Sequence, residues 1–512
     1  MPKSLVERQL SRGARALLLP LAVVATCTAC LRSLPEWSPM NHVSTAAGHS
    51  WKPRPDQVPA WLPAKELPGI PPALKPFASE LTLSQLVDVA LRNSPTTQQA
   101  WEQARAAAAA WAEARGSYYP AISGSLSGQY GRGGQTQGAS SFTEGLASST
   151  TTIGEASLTL SYLLLDFGGR NATVERARQA LLAANWNHNQ AILDLLRNVV
   201  QAYHTLLGYK AQTEAATASV AEAQTSLLAA EARLQAGVTT IADVLQARAT
   251  LQQVRVSLEG ARGAVETSRG ALATAVGWPA NTAFDVAQEP KDPPLDALGQ
   301  NVEALIEQAR RNRPDLAAVR ASVLRKEAEL RRAESALWPQ LVGSAFVEGE
   351  IVWGNGAGSN PGYAVGVELQ IPIFQGFALE NAVRAARANL EAARSALQLQ
   401  EQAVIGDVWT AYFNFRTAAL QLEASEALLA SAAQAHQASL ARYRAGVADL
   451  VELLNAQRML TGGRAQRIQA RTGLYTSYAQ LVRAIGAELR VGSPGGGVAP
   501  SGEGRNALRE KN

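Results

Sequence analysis

Cysteine is almost absent from this chain of 512 residues. Cys27 and Cys30 are the whole complement, so neither a disulfide framework nor a multi-cysteine metal site is open to the body of the protein. Histidine numbers five, scattered without ligand spacing. No lysine follows a glycine, which excludes the Gly-Lys-Ser/Thr element of a phosphate-binding loop, and Gly354-Asn-Gly356-Ala-Gly358 lacks the last spacing of a dinucleotide fingerprint. A hydrolase pentapeptide is missing too, because Gly124-Ser-Leu-Ser-Gly128 has leucine where the nucleophile must stand. An enzyme, a cofactor and a bound metal are therefore not expected. Charge is sparse at 18%, and Lys+Arg 47 against Asp+Glu 43 leaves only +4. That excess gathers at Lys3, Arg8, Arg12 and Arg15, so nucleic-acid binding has no electrostatic support. A hydrophobic content of 46% excludes wholesale disorder, and the length allows two or three domains.

The start of the chain has the pattern of a secretory signal, expected over residues 1–29. The apolar run Ala16 to Thr26 follows a basic stretch and is broken by Pro20, too short to span a bilayer as a helix. Its end, Cys27-Thr28-Ala29-Cys30, resembles a bacterial lipobox. Ala29 suits the position before a lipidated Cys30, while Cys27 stands where leucine is usual; an ordinary cleaved signal with two leftover cysteines is the alternative. Ten prolines between Leu31 and Pro76 exclude a helix or central strand and give an extended tether over 30–78. Residues 491–512 hold too little apolar content to pack and read as a disordered tail.

Between these ends the chain repeats itself. Asn93-Ser94-Pro95 and Tyr119-Pro120 return 219 positions later as Asn312-Arg313-Pro314 and Trp338-Pro339. Ala202-Tyr203 and Ala236-Gly237-Val238 return after only 209, as Ala411-Tyr412 and Ala445-Gly446-Val447. The copies span 79–298 and 299–490, and the first carries about ten more residues between 120 and 202, most simply in a loop. Each copy opens with a helix that starts at proline (95–117, 314–337) and ends at the next one. Strict period-two alternation follows and predicts strands over 121–132 and 152–166, then 340–353 and 362–374, each with one apolar and one wet face. Two proline-free helical stretches close each copy, 168–236 with 239–276 and 376–445 with 447–486. At ~1.5 Å per residue the longer ones make rods of roughly 104 and 105 Å. The expected fold is mainly α with a small β part: a long antiparallel helical bundle, each long rod flanked by two shorter helices stacked in line. Four amphipathic strands cannot close a barrel or hide their edges, so partners must supply the rest. Twelve strands from three chains would make a conduit. A soluble amphipathic sheet packed on the helices is the alternative.

From about residue 80 to 488 the sequence resembles the outer-membrane efflux proteins, the TolC-like channel family. Two tip motifs carry the likeness, Arg233-Leu-Gln-Ala-Gly237-Val-Thr-Thr-Ile-Ala-Asp243-Val-Leu-Gln-Ala247 and Arg442-Tyr-Arg-Ala-Gly446-Val-Ala-Asp-Leu-Val-Glu452-Leu-Leu-Asn-Ala456. The junctions Leu165-Asp166-Phe167-Gly168-Gly169-Arg170 and Pro372-Ile373-Phe374-Gln375-Gly376 support it. The resemblance implies a homotrimer in the outer membrane, with a twelve-stranded barrel above a periplasmic helical barrel. It implies a passive exit duct of a tripartite pump for drugs, metals or other small molecules, working with a periplasmic adaptor and an inner-membrane pump, or else an outer component of type I secretion. It also assigns adaptor docking to Arg233, Gly237, Arg442 and Gly446, and a periplasmic constriction to Glu452, with the uncharged Asn455 beside it and Asp243 as its counterpart in the first copy. Plain hairpin turns and solvated charges are the alternatives at these positions. A lipid-anchored periplasmic coiled coil is a second class of function, disfavoured by the four alternating strands.

Overall fold

The computed structural model describes residues 69–134, 148–288, 301–354 and 358–487. The signal, Cys30, most of the tether and the tail lie outside the described residues. The first copy contains α1 (Leu83–Asn93), α2 (Pro95–Gly116), β1 (Ala121–Gly134), β2 (Ser148–Leu165), α3 (Gly169–Gln235) and α4 (Ile241–Val276). The second contains α5 (Val302–Asn312), α6 (Pro314–Ser335), β3 (Gln340–Gly354), β4 (Gly358–Gln370), α7 (Ala378–Arg444) and α8 (Leu450–Ala484). Residues 135–147 join β1 to β2 and only 355–357 join β3 to β4, so the ten extra residues of the first copy fall in that connection.

The two long rods, α3 and α7, have 67 residues each and span about 100 Å. Rod α3 packs against α2 and α4 and also against α6 and α8, and the latter pair packs in turn on α7. The four strands form one antiparallel sheet in the order β1-β2-β3-β4. Helices and strands therefore follow the same lateral order, ending at α2, α4 and β1 on one side and at α7 and β4 on the other.

Three expectations change. The short helices α1 and α5 precede the proline-started helices in both copies. Thr82 Oγ1 accepts from the Gln85 backbone N–H and Gln85 Oε1 accepts from the Thr82 backbone N–H, a reciprocal cap; Asn301 Oδ1 caps α5 by accepting from the Glu303 backbone N–H. The tether is not extended to residue 78, since Pro72–Phe77 forms a 3-10 turn with Ile70 and Leu74 against the first core. Two prolines at its start fix φ near a helical value where the N–H is not needed. Strand β4 covers Gly358–Gln370 rather than 362–374, because its partner β3 starts at Gln340, opposite Gln370, and nothing remains for residues 371–374 to pair with. Pro361 sits within β4 at the sheet's edge, where a missing donor is tolerated.

The copies build matching cores. Leu86, Ala90, Val199, Leu206, Leu272 and Val276 are buried together, and Leu305, Ala309, Val408, Phe415, Leu481 and Ile485 are their counterparts. Each core closes against a glycine with positive φ. A Cβ on Gly277 (φ +88) would lie 2.9 Å from the Asn93 carbonyl oxygen, and one on Gly486 (φ +68) 2.9 Å from the Asn312 carbonyl carbon. The end of α4 or α8 thus docks onto the joint between a short helix and its proline-started neighbour.

Candidate functional site

The sheet has two chemically distinct faces. One row across it is Gly124, Leu158, Val347 and Tyr363; the adjacent row is Ser125, Ser157, Glu348 and Gly362. The first face leaves Leu126, Tyr363 and Val365 more than 80% exposed. The second gathers Ser123, Ser127, Glu155, Glu350 and Glu368, with the Ser125 and Ser157 hydroxyls 2.7 Å apart. A naked apolar face of this extent in water would drive association. The outer edges, β1 and β4, pair with no further strand among the described residues.

Where strands become helices, aromatic side chains collect. Phe167 stacks on Trp338 at 5.4 Å between ring centres, and Phe374 meets Phe377 edge to face at 5.4 Å. Aromatic rings of this kind favour a membrane–water boundary. The Asp166 carboxylate accepts from the Gly168 and Arg170 backbone N–H groups and so caps α3. Arg170 donates to the Leu163 carbonyl at 2.9 Å and lies over the rings of Tyr118 and Tyr162. The sequence Leu-Asp-Phe-Gly-Gly-Arg is thereby accounted for as a strand-to-helix corner.

At the far end of the rods the chain reverses twice. Gly237 and Gly446 take φ of 72° and 79°. Val238 N–H donates to the Arg233 carbonyl and Val447 N–H to the Arg442 carbonyl, each at 3.0 Å, which closes each rod with the left-handed cap glycine permits. Buried between the hairpins are Ala230, Val244, Ala247, Tyr443, Leu450, Leu453 and Leu454.

The named charges at these tips are engaged inside the chain. Arg233 Nη1 donates to the Tyr443 carbonyl at 2.8 Å and the guanidinium lies over the Tyr443 ring at 4.6 Å, so Arg233 ties one hairpin to the other instead of facing water. Burial raises the Tyr443 phenol above its ordinary pKa, with Arg233 opposing and Asp243 reinforcing the shift. Asp243 accepts from Thr239 Oγ1 and, at 3.5 Å, from the Thr240 backbone N–H at the start of α4. Arg442 and Glu452, expected to serve different ends, form an ion pair of 2.8 Å in which Ser439 joins at 3.4 Å. Asp449 Oδ1 accepts from Glu452 N at 2.8 Å and caps α8. Asn455 is exposed one turn on. These caps set the return helices at Ile241 and Leu450 rather than at 239 and 447. Sequence reasoning missed Tyr443, Asp449 and the exposed Val238, Ile241, Leu245, Val447 and Val451; the valine directly after each tip glycine was the available signal.

Replacing Arg233 by alanine removes a charge-assisted cap worth about 1.5–3 kcal/mol. Chymotryptic cleavage after Tyr443, 1% exposed in the intact tip, should become at least ~10-fold faster. Unchanged cleavage would show that the cap does not hold the tip.

Comparison with known proteins agrees with this geometry. A family model described as outer membrane efflux protein matches residues 86–278 and 305–487, one stretch in each copy. Protein CyaE of Bordetella pertussis is 28% identical over 427 residues, covering 83% of this chain and 87% of CyaE. The pyoverdine export outer membrane protein OpmQ of Pseudomonas putida is 26% identical over 427 residues, covering 82% of this chain and 88% of OpmQ. Among solved structures, the outer membrane protein VceC from Vibrio cholerae superimposes with a TM-score of 0.69 at 20% identity, covering 79% of this chain and 96% of VceC.

Proposed function

This chain belongs to the outer membrane efflux protein family, and on that premise we propose that three copies assemble into a passive exit duct across the outer membrane, exporting small molecules delivered by an inner-membrane pump through a periplasmic adaptor. The observation that carries this reading is the shared lateral order of helices and strands. With β1 and α2/α4 at one edge and β4 and α7 at the other, a single rotation closes both layers at once. Three copies give twelve strands, enough for an aqueous lumen, whereas two give eight and a filled barrel. The apolar face then meets lipid and the Ser/Glu face lines the passage. A small-molecule cargo is favoured over a secreted protein by relatives named for pyoverdine export and toluene efflux.

Within this reading the hairpin tips Gly237 and Gly446 present exposed Val238 and Val447 to the adaptor, with Arg442 at their rim; Arg233 acts one step back, by bracing Tyr443. Glu452 and Asn455 lie on one face of α8 and form the constriction, while Asp243 shapes the other hairpin. Cys30 carries the lipid anchor. Fatty-acid labelling that survives Cys30→Ala unchanged would remove the anchor from the account.

Planar-bilayer recording tests the duct. Purified protein should give discrete cation-preferring currents without any energy source, because three Glu452 carboxylates around a narrow axis attract cations. Glu452→Gln should lower that preference and the block by multivalent cations while leaving assembly intact. Absence of current would overturn the duct, and unchanged selectivity would return Glu452 to the role of a surface ion-pair partner of Arg442.

A further inference from the structure

His436 lies where α7 faces α8, ten residues before Gly446 and hence about 15 Å from the tip. It is only 6% exposed within one chain, before any second copy packs on it. Its Nε2 is buried without a hydrogen-bond partner among the described residues. The helices run antiparallel with Ser439 meeting Glu452 and Gly463 close to Leu429 and Ala432, a register that sets Gln457 level with His436. Gln457 is 2% exposed. Its Oε1 accepts from Ser226 of α3 at 3.5 Å, and its Nε2 is buried with no partner among the described residues. One level of the tip thus holds an unmatched imidazole nitrogen and an unmatched amide donor. A neutral imidazole can accept from such an amide; an imidazolium donates from both nitrogens and cannot.

We propose that His436 is a proton switch in the tip: protonation loosens the α7–α8 hairpin and opens the periplasmic end as the pH falls. Among the described residues, the carboxylates of these helices near the tip already pair with an arginine or cap a helix. On α7, Glu426 pairs with Arg467. On α8, Glu452 pairs with Arg442, Asp449 caps the helix, and Arg458, Arg464 and Arg467 are like charges. On α3, Glu222 pairs with Arg464 and Glu231 with Arg248, beside Arg233; on α4, Asp243 is held by Thr239. A buried charge without a counter-charge is relieved by exposure to water, and exposure here means parting α7 from α8. Histidine is the side chain whose charge ordinarily changes between pH 5 and 8, which sets the range to test.

Hydrogen exchange of the whole protein in detergent at pH 7.5 and 5.5, corrected for intrinsic rates, tests the switch. Peptides covering 430–445 and 452–462 should lose at least ~10-fold protection in the wild type at the lower pH, while 190–205 of α3 stays unchanged. His436→Gln should abolish the response and His204→Gln should keep it. A wild type without this change, or His436→Gln with the same change, would overturn the proposal. The conductance arm rests on the duct reading: channel opening should rise at pH 5.5 in the wild type alone. A protein that passes no current at either pH refutes the duct, and the exchange result still decides the switch.

Discussion

Arg313→Ala is expected to destabilise the helical part by about 1.5–3 kcal/mol, the range for losing hydrogen bonds to a charged group. The Arg313 side chain is 3% exposed and binds the Asp315 carboxylate at 2.6 Å and Asp407 at 3.0 Å. Gln400 of α7 also donates to Asp315, at 3.0 Å. Arg483 of α8 reaches both Asp407 and Asp194 of α3, so four helices meet in one network. Burial alone would lift the Asp315 pKa, yet Arg313 outweighs it and holds the carboxyl below its ordinary range. A depressed carboxyl stabilises the fold above its unfolded pKa, about 3.9, and that contribution fades as pH falls through the folded value. The deficit of Arg313→Ala should therefore be largest at neutral pH and shrink below about pH 4. A thermal scan at pH 7 within about 0.5 kcal/mol of wild type would refute the clamp. The first copy has Ser94 at this position, capping α2 through the Thr97 backbone N–H at 3.4 Å, so the clamp belongs to the second copy only.

Val365→Arg is expected to remove the protein from the membrane. Val365 stands near the middle of β4 on the apolar face, opposite Ala345, and is 81% exposed. An arginine at the lipid midplane of a barrel costs about 2–4 kcal/mol, and the proposed threefold assembly would place it three times. Ser344→Arg, one position along on the polar face and paired with Gly366, should be tolerated, since that face meets water. Refolding into lipid vesicles distinguishes them. Equal yields for the two variants would mean that the sheet is packed against protein rather than lipid.

Much of this architecture was legible because it is written twice. Strand periodicity found all four strands but set β4 four residues too late, and the prolines at 95, 120, 314 and 339 bounded their helices. The short helices α1 and α5 escaped although their signal was present: Leu83, Leu86, Val87 and Ala90, and Val302, Leu305, Ile306 and Ala309, recur at helical spacing, and Thr82 and Gln85 had the spacing of a capping box. The tip residues were legible as positions and not as contacts. Arg233 and Tyr443 are 210 positions apart, and no local pattern tells that a guanidinium will cross between hairpins to a carbonyl. Glu452 and Arg442 lie ten apart across a turn, a distance at which pairing depends on the antiparallel register fixed by Leu450, Leu453 and Leu454 in the core between the hairpins.

The central claim is that one chain is a third of a closed conduit, its open edges satisfied only by two further copies. Native mass measurement of the detergent-purified protein tests it most directly: the account predicts a single species of three chains, and a stable monomer, or a dimer that still conducts ions, would contradict it.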